Sequence, residues 1–118
     1  MASMFERYGG FAMVSKVVLT FYDKAIDSDI IGEYFENVDM PALIDHQTKF
    51  VSQVMGGPAS YTDDMLERVH TPLKIDGAAF DEMVSLLADT LDEFDVEQAD
   101  IEVILDEIRA RRAHIVHA

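Results

Sequence analysis

Pro41-Ala42-Leu43-Ile44-Asp45-His46-Gln47-Thr48-Lys49-Phe50-Val51-Ser52-Gln53-Val54-Met55-Gly56-Gly57-Pro58 is the stretch whose reading decides the fold. Leu43, Phe50, Val51, Val54 and Met55 recur at helical steps and share one stripe with His46 and Gln47. Pro41 suits the first turn of a helix, where its missing N–H is not needed. Gly56-Gly57-Pro58 stops the helix at Met55. Two polar side chains interrupt the stripe. Burying an amide or imidazole without a partner costs on the order of 1–3 kcal/mol. Either the stripe edge is wet at His46 and Gln47, or the interior holds something that needs them.

Outward from this helix the same periodicity continues in both directions. Residues 4–8 read as a short helix closed by Gly9-Gly10, and residues 11–26 as a long one with Val14, Val17, Val18, Phe21, Tyr22 and Ala25 on its stripe. Residues 29–35 make one or two helical turns. Beyond the glycines come an irregular stretch, 58–63, and a short helix over 64–70. Residues 81–94 form a helix with Phe80, Met83, Val84, Leu87 and Leu91 inward, and residues 97–113 another with Ile101, Ile104, Leu105 and Ile108 inward. No alternating strand segment, Asn-Gly hairpin, linker or repeat competes, so the class is all-α and residues 1–118 form one domain.

Composition narrows the function. The 118 residues carry 9 Lys and Arg against 23 Asp and Glu, a formal net charge of −14, which argues against nucleic acid and anionic membranes as partners. With no Cys there is no disulfide, thiolate nucleophile, iron–sulfur cluster or cysteine-anchored haem. No apolar run approaches the ~18 residues of a membrane span. The N-terminus lacks a basic segment followed by an apolar one, so no signal peptide is expected and the cytoplasm is the expected location.

Acidic clusters raise the question of calcium. From Asp27 a loop puts Asp29 third and Gly32 sixth, as an EF-hand would, but Ile31 and Val38 stand fifth and twelfth, where oxygen ligands are required. No short metal-binding spacing links His46, His70, His114 and His117, and no phosphate loop or nucleophile elbow occurs. Tyr22 lies on an inward stripe, where its hydroxyl needs a partner. His70 ends a short helix; imidazole there is a good iron ligand and also a common C-terminal helix residue.

The ordered pieces Phe5-Glu6-Arg7-Tyr8-Gly9-Gly10, Phe21-Tyr22, Tyr34-Phe35, His46-Gln47 with Phe50, Gly56-Gly57-Pro58 with Tyr61, and Met65 with His70 resemble a truncated haemoglobin of the first group. The resemblance spans about residues 4–113. It implies a two-over-two helical sandwich around haem b. His70 matches the proximal iron ligand. Phe35 matches a Phe packed on the porphyrin, and Tyr22 and Gln47 match distal residues that hydrogen-bond a gas ligand. Leu43 falls where animal globins keep a distal His. Leu43, Phe50, Tyr61, Val69, Phe80 and Val84 would also line the haem, and Lys49 is placed to pair with a propionate.

In cyanobacterial-type relatives a His at the position of His46 binds the iron itself, and a His near the position of His114 bonds covalently to a haem vinyl group. The resemblance extends both expectations to this chain, with His114 ahead of His117. Val51 stands where some members keep a Phe gate in an apolar tunnel. The implied function is reversible binding of O2, CO and NO by a monomer. Nitric oxide dioxygenation with a separate reductase is the implied enzymatic role; simple O2 storage fits less well. A second class is an electron-transfer or gas-sensing module built on His46 and His70. A haem-free acidic adaptor is the third, and the polar residues on inward stripes argue against it.

Overall fold

The computed structural model describes residues 3–36, 38–57 and 75–116. The expected helix over 64–70, with Tyr61, Val69 and His70, lies outside the described residues, as does His117.

Helix α1 (Met4–Arg7) begins at Ser3, whose hydroxyl accepts from the Glu6 N–H. Gly9 and Gly10 have φ of 110° and 70°, a left-handed region that other residues rarely enter, and this lets the chain reverse into α2 (Gly10–Ile26). Gly10 is thus the first residue of α2, one position before the expected start at 11. A 3-10 turn follows at Gly32–Phe35. Helix α3 (Met40–Val54) opens one residue before Pro41, because Asp39 accepts from the Ala42 N–H and caps it there.

Helix α4 (Gly77–Glu93) starts four residues before the expected start at 81. Asp76 accepts from the Ala79 N–H at 2.8 Å, and that cap, not the stripe, sets the boundary. The expected helix over 97–113 is two pieces, α5 (Gln98–Arg109) and α6 (Arg112–Ile115), joined by a turn at Ala110-Arg111. Among the described residues the only β pairing is one bridge between Ile75 and Val116.

Helix α2 packs on α3 and on α4, α4 packs on α5, and α3 reaches α5. Two helix pairs are thus laid one over the other, the arrangement the resemblance implies. The stripes meet in one core: Val14, Val17, Val18 and Ala25 of α2, Phe50 and Val51 of α3, Leu87 and Leu91 of α4, and Ile101, Ile104 and Leu105 of α5 are buried.

Phe5 ties the N-terminal corner together. Its N–H donates to the Met55 carbonyl at 2.9 Å. Its ring lies so close to Gly57 that a Cβ there would stand 2.8 Å from it. Next to it, the Tyr8 hydroxyl donates to Asp100 Oδ2 at 2.6 Å and accepts from the Glu97 N–H at 3.1 Å, while Arg7 pairs with Asp100 at 3.2 Å. Those bonds, Tyr8 first and Arg7 second, lower the Asp100 pKa, and the same hydrogen bond raises that of Tyr8.

Candidate functional site

A narrow cavity of about 70 Å³ opens where the two helix pairs cross. Its walls come from Val18, Phe21 and Tyr22 of α2, Gln47, Phe50 and Val51 of α3, and Phe80, Met83, Val84 and Leu87 of α4. Ile108 of α5 and Ile115 of α6 close one end. Nearly the whole lining is hydrocarbon; the hydrogen-bonding side chains among these residues are Tyr22 and Gln47.

Tyr22 is buried and its ring is set by two edge-on neighbours, Phe21 at 4.9 Å and Phe35 at 5.6 Å between centroids. Gln47 is half-buried and reaches the cavity from α3. The lining suits an apolar group, and a small polar ligand there would meet a phenol from one helix and an amide from another.

The remaining expected site residues fall into groups. Phe50, Phe80 and Val84 line the cavity, and Phe35 supports it through Tyr22. Leu43 is buried but does not line it. His46 is half-buried one position before Gln47, beside Asp45, and is not part of the lining. Lys49 is exposed and donates to Asp45 at 2.9 Å, which lowers the Asp45 pKa. His114 is half-buried directly before Ile115.

Val18, Phe21, Met83, Leu87, Ile108 and Ile115 belong to the cavity without having been singled out as site residues. Most sit on inward stripes, and periodicity cannot separate a side chain that faces a cavity from one that faces a neighbour.

Among the described residues no helix is long and apolar enough to cross a membrane. The bacterial-like globin family matches residues 3–117. The group 1 truncated haemoglobin of Tetrahymena thermophila is 31% identical over 94 residues, covering 80% of this chain and 78% of that protein. The Synechocystis group 1 truncated haemoglobin is 29% identical over 102 residues, covering 83% and 82%. The crystal structure of truncated haemoglobin from Tetrahymena pyriformis in its Fe(III) form superposes with a TM-score of 0.88 at 26% identity, over 99% of this chain and 100% of that one. A Synechococcus 2/2 haemoglobin with covalently attached haem superposes at 0.84 with 27% identity, over 97% and 98%.

Proposed function

The chain belongs to the bacterial-like globins, with group 1 truncated haemoglobins among its relatives, and from that premise we propose that its cavity holds haem b and that Tyr22 and Gln47 retain a diatomic ligand there. Haem-based gas binding comes with the family; the finer assignments rest on the residues. When bound, haem supplies an iron centre for reversible gas binding and one-electron chemistry.

The protein's part is to exclude water and to aim donors. The Tyr22 hydroxyl and the Gln47 amide are hydrogen-bond donors on a hydrocarbon wall, where a polarised ligand has little else to bond. Two such bonds at about 1–1.5 kcal/mol each slow ligand release by one to two orders of magnitude. Tight retention of O2 suits nitric oxide dioxygenation, with a separate cytoplasmic reductase and a monomeric globin. The observation that carries this reading is the buried Tyr22, locked edge-on by two rings in the wall of an apolar cavity that Gln47 also lines.

His70 is the proposed proximal ligand. His46, half-buried and one position before Gln47 on α3, is proposed as a competing distal ligand. His114, next to a lining residue, is the proposed point of a covalent vinyl link. Haem titration followed by ferric and dithionite-reduced spectra tests the set. His70→Ala is expected to abolish the normal haem spectrum, and its full retention overturns the proximal assignment. His46→Ala is expected to turn a low-spin spectrum high-spin; an unchanged spectrum removes His46 as a ligand. Haem extracted by acid and organic solvent after reduction shows that His114 forms no link.

A further inference from the structure

Phe80 and Val84 line two spaces at once. One is the central cavity; the other is an open groove between α4 and α5 on the outer side of the same wall. Here two side chains separate the cavity from the outside. Arg112 lines the groove and lays its guanidinium over the Phe80 ring, 5.7 Å from the centroid. It pairs with no carboxylate among the described residues, in contrast to Arg109, which pairs with Asp106, and Arg111, which pairs with Glu107.

A second observation concerns Gly77, the first residue of α4. A Cβ on Gly77 would stand 2.5 Å from Arg112 Nη2. The exposed end of Arg112 thus lies against the start of α4, in space that an alanine methyl group would take from it. Gly77 is not in the left-handed region, so the backbone does not require glycine here; a methyl group at this position would push the flexible guanidinium aside.

We propose that Arg112 is a positioning residue that holds Phe80 closed between cavity and groove, and so sets how fast a small ligand passes that wall. A guanidinium over an aromatic face is attracted by the ring's negative quadrupole. While it stays there, the ring stays turned to seal the wall. When it leaves, the ring gains rotational freedom and the wall opens more often. Gly77 leaves the guanidinium room to lie there.

The inference rests on haem filling the cavity, and its test separates the two claims. In the haem-loaded full chain, CO association after flash photolysis is compared for wild type, Arg112→Gln, Arg112→Lys and Gly77→Ala. Arg112→Gln and Gly77→Ala are expected to speed association about two- to five-fold, the population change that loss of one exposed cation–π contact permits. The ferrous–CO spectrum and the melting temperature stay those of wild type. Arg112→Lys keeps a cation over the ring and is expected near the wild-type rate. Alanine suits a helix start no less than glycine, so a Gly77→Ala effect is read through Arg112. The haem-free readout is flipping of the Phe80 ring in 13C-phenylalanine-labelled apoprotein, expected to be faster in both fast variants. Wild-type association and ring flipping in both variants overturn the latch. Failure of the wild-type chain to take up haem overturns the cavity assignment instead, and ring flipping then decides the latch alone.

Discussion

The N-terminal corner and the central cavity are both built around aromatic rings, in opposite ways. At the corner, glycine removes side chains so that backbone closes on the Phe5 ring, leaving no room for a methyl group at Gly57. At the cavity, Phe50, Phe80 and Tyr22 line an apolar space between the helices. The corner's polar groups, Tyr8, Asp100 and Arg7, satisfy one another. The cavity is lined mainly by hydrocarbon, with Tyr22 and Gln47 as its hydrogen-bonding side chains. The proposed function rests on the cavity and not on the corner, and substitutions are expected to separate the two.

The largest expected effect is at the corner. Phe5→Ala removes a buried ring and is expected to lower stability by about 3–5 kcal/mol, read by chemical denaturation of the apoprotein. Gly57→Ala drives a Cβ toward the Phe5 ring and the Ser52 carbonyl and is expected to lower it by about 1–3 kcal/mol. Both are expected to leave ligand dissociation from the loaded protein unchanged; a changed rate would break the separation.

The smallest effect is electrostatic. Asp100 titrates below its ordinary value when folded, so its contribution is complete above the unfolded pKa near about 4 and fades as pH falls through the folded value. Asp100→Asn is expected to lower the melting temperature slightly at pH 7. The gap to wild type closes as the pH drops toward about 3. A gap that stays constant with pH would show that the carboxylate charge plays no part.

The same contrast explains what the sequence could reveal. The helices of the core were legible because Val14-Val17-Val18 and Ile101-Ile104-Leu105-Ile108 repeat at helical steps. Polar residues on such stripes, Tyr22 and Gln47, pointed to the cavity because burial without a partner is costly. Three features were not legible. Gly77 reads as punctuation, yet it opens α4 behind the Asp76 cap. Ala110-Arg111-Arg112 are sound helix formers with no Gly or Pro, so nothing marks the turn between α5 and α6. His46 and Gln47 are neighbours on one stripe, and only the orientation of α3 in the fold shows that Gln47 lines the cavity and His46 does not.

The central claim is that Tyr22, supported by Gln47, holds a gas ligand in an otherwise apolar cavity. O2 dissociation from the reduced, haem-loaded protein tests it most directly, with wild type compared with Tyr22→Phe and with Tyr22→Phe combined with Gln47→Leu. The account predicts dissociation about tenfold faster in Tyr22→Phe, the loss of one hydrogen bond of about 1.4 kcal/mol. It predicts a further rise in the double variant, with melting temperatures near that of wild type. Dissociation as slow in the double variant as in wild type would contradict it.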